Sequence, residues 1–227
     1  MEIRLLPWLR QSLAVLRKDL RIEFRTRYAY SALIMFAITT LVTVSFSVGG
    51  FVLDADITAA LLWIILFFSA MAGLARTFVH EEETGTVTAL KMAAQPEPVL
   101  IGKYLFNLTL LFSLAVLIVP LFLVMLNQTV LLPGALIAVI LLGCFGLAGA
   151  STILAAIVAK AGAKSSLMTV LAFPVLLPLL FAAISATRVA FAGGLPQAIA
   201  ADLLMLFFYD GIVVVASLLL FEYVWNE

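Results

Sequence analysis

The sequence predicts an all-α integral membrane protein, with six transmembrane helices behind an N-terminal interfacial amphipathic helix. Composition is the first reason. Of 227 residues, 65% are hydrophobic and 11% charged, and the mean hydropathy is +1.21. Soluble domains are usually about half apolar and about a quarter charged. A chain this short cannot hide the excess in a core, so much of its surface belongs in lipid. The second reason is segmentation. Six apolar stretches reach the roughly 20 residues that a helix needs to cross the hydrocarbon. The third is charge placement: of the 13 Lys and Arg, all but Arg188 fall in segments that share one side of a six-span topology.

The spans are expected near residues 28–53, 57–79, 104–126, 132–159, 165–187 and 203–225. They should be helical, because backbone groups cannot stay unpaired in lipid and no alternating barrel pattern is present. Asp54 and Asp56 break the first two spans, Pro133 and Gly134 the third and fourth, Gly162 the fourth and fifth, and Gly193, Gly194 and Pro196 the last two. No internal repeat or low-complexity linker appears. Residues 28–227 therefore read as one transmembrane domain, preceded by a helix over residues 1–27. Lys and Arg remain on the cytoplasmic side. Both termini are thus expected there, which six spans allow. The long charged segment before the first span does not read as a cleavable signal peptide.

Several functions are disfavoured at once. Net charge is zero, so there is no electrostatic footprint for nucleic acid. Cys144 is the lone cysteine and His80 the lone histidine, which leaves no intramolecular disulfide and no multi-histidine metal site.

Within the N-terminal helix, Leu9, Leu13, Leu16, Leu20 and Phe24 recur at spacings of three and four, while Arg10, Arg17, Lys18, Arg21 and Arg25 lie elsewhere on the wheel. Such a helix lies in the membrane surface. It either anchors topology only or also docks a partner.

The connection at 80–103 is the second informative segment. It carries Glu81, Glu82 and Glu83, then Thr84-Gly85-Thr86, then a short amphipathic run with Val87, Leu90 and Met92 apolar. Pro96 and Pro98 are expected to stop any helix here. The segment reads as a short helix projecting between two spans, a docking surface more than a solvated loop. Adjacent glutamates do not face one another on a helix and make a poor joint active site. No catalytic triad, zinc motif or phosphate-binding loop accompanies them.

In the fifth span, Pro174 and Pro178 remove backbone hydrogen bonds. They mark either a static kink or a broken helix lining a substrate path. In the fourth, the stripe Gly143, Gly146, Gly149, Ala150 permits close helix packing. Asp210 is the one acid well inside a span, where a charge costs about 2.5–3.5 kcal/mol on insertion scales. A late helix start near Gly211 would relieve it.

Phe78, Glu81 to Glu83, Gly85, Leu90, Gly102 and Lys103, with the double-proline "LAFPVLLPLLFAA" at 171–183, resemble the permease subunits of ABC exporters. More narrowly the chain resembles the heme exporter protein B (CcmB) family of cytochrome c maturation. The closing "LLLFEYVWNE" is similar too, with Glu222 where the family more often has proline. The resemblance implies an ABC exporter permease-like fold in a bacterial inner membrane. It implies several partners: an ATP-binding cassette ATPase, a multi-span heme-handling subunit, a small single-span subunit and a periplasmic heme chaperone. ATP would then act on the partner subunit, and heme would be the substrate of the complex or be released with its chaperone. No cofactor is expected on this chain itself, and no catalysis. A heme pocket needs an axial ligand, and His80 beside the glutamates is a poor one, so a mechanical role is favoured.

In that role Glu81, Glu82, Glu83, Gly85, Thr86 and Leu90 would couple to the ATPase, whose basic residues would meet the glutamates. Arg25 or Arg27 would pair with the glutamates when the ATPase is absent, and the fifth span at Pro174 and Pro178 would move. The rivals are an exporter permease for a lipid or drug-like substrate, a secondary transporter or channel, and a passive scaffold. A secondary transporter usually has several intramembrane charges and repeated halves.

Overall fold

The computed structural model describes residues 2–226 apart from 52, 76, 79–80, 82–84, 161–164 and 195. It is all-helical, with no strand among the described residues. In chain order the helices are α1 (Glu2–Thr26), α2 (Tyr28–Val48), α3 (Ala55–Leu74), α4 (Val87–Ala93), α5 (Pro96–Met125), α6 (Pro133–Lys160), α7 (Ser165–Ala192) and α8 (Pro196–Asn226). Six of them, α2, α3, α5, α6, α7 and α8, are long and apolar enough to cross a membrane.

Local chemistry sets the ends. Arg27 adopts φ 54° between α1 and α2, so the chain turns there without a glycine. Gly49 closes α2 with φ 58°, its N–H returning to Ser45 O, which ends the first span earlier than residue 53. Helix α4 ends at Ala93, ahead of Pro96 and Pro98 as expected, but the prolines also begin a new helix. Gln95 is extended and Pro96 opens α5, where a missing N–H has no intrahelical partner to lose. The third span's helix therefore starts well before residue 104.

Helix α6 is the hub. It packs against α3, α5, α7 and α8, while α2 closes the rim against α3 and α5. The spanning windows of α3 and α6 are 67% buried and those of α2 and α8 only 17%. A helix apolar all round belongs inside a bundle or in lipid; here the two fates fall to different helices. The glycine stripe explains how α6 accepts four neighbours. A Cβ at Gly143 would collide with the Trp63 ring, one at Gly146 with Leu179 and the Asp210 carboxylate, and one at Gly149 would meet Val213 at 3.0 Å. The Trp63 indole donates to Thr187 Oγ1 (2.9 Å), tying α3 to α7.

Two alternatives that the sequence left open are narrowed. Helix α7 is unbroken across Pro174 and Pro178. Tyr209 of α8 donates to the carbonyl of Val175 (3.0 Å), between the two prolines, so a neighbouring helix adds a hydrogen bond to this turn. Helix α8 does not start late, and Asp210 sits near its middle. Its carboxylate packs on Gly146, and neither oxygen has a hydrogen-bond partner.

Helix α1, α4 and the C-terminal ends of α6 and α8 share one end of the bundle, the basic end: Lys160, Lys91 and Trp225 line one narrow cavity there. At the opposite end Arg188 pairs with Asp56 (3.5 Å), and the N–H groups of Leu131 and Leu132 bond Ala190 O. The exceptional arginine is thus on the side the topology gave it.

Gly143→Leu should lose about 1–3 kcal/mol by overpacking the Trp63 seat, whereas Gly211→Ala, whose Cβ meets nothing within 4 Å, should be near neutral. Thermal unfolding in detergent measures both.

Candidate functional site: a buried charge cluster under the projecting helix

The connection from α3 to α5 builds the site. Gly85, at φ 65°, turns the chain in open space, and Thr86 opens α4, its carbonyl receiving the Leu90 N–H (3.0 Å). Helix α4 lays Val87, Leu90 and Lys91 half-buried on the bundle and turns Thr88, Ala89 and Met92 outward, Met92 being 80% exposed. The short helix predicted for this segment is therefore present, lying on the bundle with Leu90 on its inner face.

Glu81 is not on that surface. Its side chain is 5% exposed, and its Oε1 receives Lys103 Nζ (2.5 Å) from α5 and Lys18 Nζ (2.7 Å) from α1. Lys18 also reaches Asp19 Oδ1 (2.9 Å). Lys103, 3% exposed, donates to Thr77 O (2.7 Å), lies 3.2 Å from Asp19 Oδ2 and sits 5.3 Å from the Phe78 ring centre. Two ammonium groups and two carboxylates so neutralise one another at the junction of three segments.

The expectation that Glu81 meets basic residues of an ATPase is thereby corrected: burial already commits it to lysines of its own chain. Arg25 and Arg27, either of which was expected to pair with the glutamates, are exposed, and the ion pairs of Glu81 are with Lys18 and Lys103. Glu82, Glu83 and His80 lie outside the described residues. Burial alone would raise the Glu81 carboxyl's pKa, but Lys103 and then Lys18 outweigh it and hold the value below the ordinary 4.5. Burial alone would lower that of Lys18, but Asp19 and Glu81 outweigh it and hold the value above 10.5.

Two arms leave the cluster. The polar arm runs inward. The Thr77 hydroxyl shares its proton between Leu74 O (2.7 Å) and Asn107 Oδ1 (2.9 Å); Asn107 Nδ2 donates to Thr152 Oγ1 (2.8 Å), which donates to Ala148 O (2.6 Å). All three side chains are buried, so Glu81, Lys103, Thr77, Asn107 and Thr152 form an unbroken polar chain from the connection into α6. The aromatic arm, also buried, runs to the end of α8. Phe78 stacks near Phe221 (5.6 Å), Phe221 near Trp225 (5.3 Å), and Lys91 Nζ lies 5.6 Å over the Trp225 ring. This joins α4 to the end of α8. Outside both arms, Gln11 of α1, the stretch from Lys91 to Pro96, and Trp225 line an open groove of about 460 Å³.

Helix α1 reaches the cluster because of Gly102. A Cβ there would stand 2.6 Å from Val15 Cβ and 2.8 Å from Ser12 O. Ser12, Val15 and Asp19 form the buried face of α1, while Leu9, Leu13 and Phe24 of the apolar stripe are exposed. The stripe was legible in the sequence; the second, polar face was missed. Its signals were Asp19, an acid amid basic residues, and Asn107, a side-chain amide within a span.

No group of three or more His, Cys, Asp or Glu able to hold a metal occurs among the described residues. Prolines 174 and 178 lie on α7 and take no part in the cluster.

A family model described as "CcmB protein" matches residues 10–223. The protein named "Heme exporter protein B" from Bradyrhizobium diazoefficiens is 25% identical over 182 residues, covering 79% of this chain and 82% of that relative. No solved structure gives a match.

Lys103→Met leaves two buried carboxylates facing one half-exposed ammonium, and should cost about 3–5 kcal/mol, read as a fall in the unfolding midpoint in detergent. A pH series should show a plateau. Stability from Glu81, whose folded pKa is lowered, is present above 4.5 and lost as pH falls through the folded value. Stability from Lys18, whose folded pKa is raised, is present below 10.5 and lost as pH rises through the folded value.

Proposed function

The chain belongs to the CcmB protein family, and from that premise we propose that it is the membrane permease subunit of an ABC-type complex for cytochrome c maturation. ATP hydrolysis on a separate ATP-binding cassette subunit is coupled through it to heme export, or to release of a heme-loaded periplasmic chaperone. The observation that carries this is the pair of arms: the aromatic arm joins α4 to α8, and the polar arm joins α6 to Glu81, whose carbonyl receives the N–H of Thr86 at the start of α4 (3.0 Å). Coupling requires that both sites feel one change of state, and a helix anchored at two points on the bundle meets that requirement.

The ATPase docks in the groove of Gln11, Lys91, Met92 and Trp225, where an exposed Met suits an adaptable apolar contact. This replaces Glu81 by Met92 as the point of contact, with Glu81 transmitting from below. The basic end faces the cytoplasm of a bacterial inner membrane, and both termini lie there, as the Lys and Arg distribution favours. Chemistry on ATP belongs to the partner. Heme is cargo, handled with the multi-span and single-span subunits. Met205, 45% exposed on α8, belongs to that helix's lipid-facing surface more than to a heme pocket.

Tagged chain is purified from native membranes in detergent, with ATPase capture, ATP hydrolysis and mature c-type cytochrome as readouts. Met92→Glu should lose the ATPase while the chain stays folded. Asn107→Leu should keep the ATPase bound but lower cytochrome maturation at least about tenfold, the equivalent of roughly 1.4 kcal/mol of lost coupling. Full capture with Met92→Glu and full maturation with Asn107→Leu would defeat the proposal. An ATPase captured without heme partners would favour an exporter permease for another substrate.

A further inference from the structure

Helix α1 divides into faces of different chemistry. At about 100° per residue, Ser12, Val15 and Asp19 share the side that packs on α5, and all three are buried. Leu9, Leu13 and Phe24 form an apolar side, with Phe24 78% exposed. Arg10, Arg17, Arg21 and Arg25 fall within about 80° of one another, next to the apolar side and roughly opposite the bundle. All four are exposed.

Charge sorts with the faces. Asp19 sits in the buried cluster, and Glu23 receives the Tyr30 N–H (2.9 Å) at the start of α2. Lys18 is committed to Asp19 and Glu81. Among the described residues the ion pairs of basic side chains fall on Lys18, Lys103 and Arg188, and none on the four arginines. The outward face is therefore a stripe of guanidinium groups that this chain does not neutralise.

Position narrows what does. Gln11 shares a groove with Pro96, and Asp19 lies 3.2 Å from Lys103, so α1 runs along the start of α5. Its C-terminal half stands level with the first turn of α2, since Thr26, Tyr28 and Ala29 line one cavity with Asp19 and Lys103. There α2, long and apolar enough to cross a membrane, begins. Arg17, Arg21 and Arg25 follow one another at this level, about 6 Å apart along the axis, with Phe24 beside them. An amphipathic helix meeting a span carries its basic residues among lipid headgroups and its apolar side at the acyl boundary. An acidic protein would satisfy the arginines and leave Leu13 and Phe24 in water; a lipid satisfies both.

We propose that Arg17, Arg21 and Arg25 bind the phosphates of anionic phospholipids of the phosphatidylglycerol kind, whose chains cover Leu13 and Phe24. A guanidinium grips a phosphate with two parallel N–H donors, which an ammonium does not. In phosphatidylethanolamine and phosphatidylcholine the headgroup's own cation already balances the phosphate; in phosphatidylglycerol nothing does. The site needs no ATPase and stands apart from the coupling scheme.

The test uses the purified full chain in mixed micelles with equal parts of phosphatidylglycerol, phosphatidylethanolamine and phosphatidylcholine of matched chain length. Retained lipid is identified by native mass spectrometry. Phosphatidylglycerol should be retained about tenfold over the other two, and the preference should shrink as salt is raised. Arg17→Gln, Arg21→Gln and Arg25→Gln should each lower it about fivefold, the scale of one basic residue at a membrane surface, and the triple change should erase it. Arg21→Lys should keep more of it than Arg21→Gln. Arg10→Gln, about 10 Å further from the membrane end of α1, should lower it less than about twofold. These side chains are exposed, so circular dichroism should find the helical content unchanged. Equal retention of the three lipids, a preference that survives the triple change, an equal loss with Arg10→Gln, or displacement by millimolar glycerol phosphate as effective as by the lipid would each overturn the assignment. So would arginine-dependent capture of an acidic protein with no lipid preference.

Discussion

Lys103 brings a full positive charge to a place that water hardly reaches, and the basic end of the molecule is built around that charge. A buried ammonium is tolerated only when its donors find acceptors and its charge finds a counter-charge. The Thr77 carbonyl and Glu81 supply these from the connection, and Asp19 adds counter-charge from α1. The requirement also fixes the contact between helices, because Asp19 approaches only where Gly102 removes the side chain that would keep α1 away. One lysine thus ties a surface helix, a connection and a spanning helix into a single unit.

The two arms that leave this unit differ in physical kind. The polar arm is directional: Asn107 holds Thr77 with its oxygen and Thr152 with its amide, so a displaced Thr77 leaves buried groups without partners. Such a chain favours discrete arrangements over gradual ones. The aromatic arm of Phe78, Phe221 and Trp225 lacks that directionality and can slide within contact distance. In the coupling we propose, a push on α4 would reach α6 as a switch and α8 as a shift. Helix α6, gripped on four sides through its glycines, is where a change would be shared by the other spans.

The outer helices show the opposite arrangement. Helices α2 and α8 leave most of their apolar surface uncovered. Helix α8 nevertheless carries Asp210, whose carboxylate turns inward onto Gly146, and Tyr209, which donates to the Val175 carbonyl of α7. Polar groups on a lipid-facing helix point toward protein because the hydrocarbon offers them no partner.

The sequence by itself determined the class of fold, the number of helices long and apolar enough to span, and the short helix near Val87 to Met92. Each of these depends on properties local to one segment: hydrophobic length, charge count and turn residues. The glycine stripe of α6 was readable as a packing face for the same reason. What the sequence left undecided was how charges far apart in the chain would pair. Glu81 reads as a surface acid from its neighbours, and Pro96 as a helix stop. Tertiary structure made Glu81 the partner of Lys18 and Lys103 and made Pro96 the first residue of α5. The difference is physical: hydrophobic length is a property of a segment alone, whereas the burial of an ionisable group depends on which distant group arrives to compensate it.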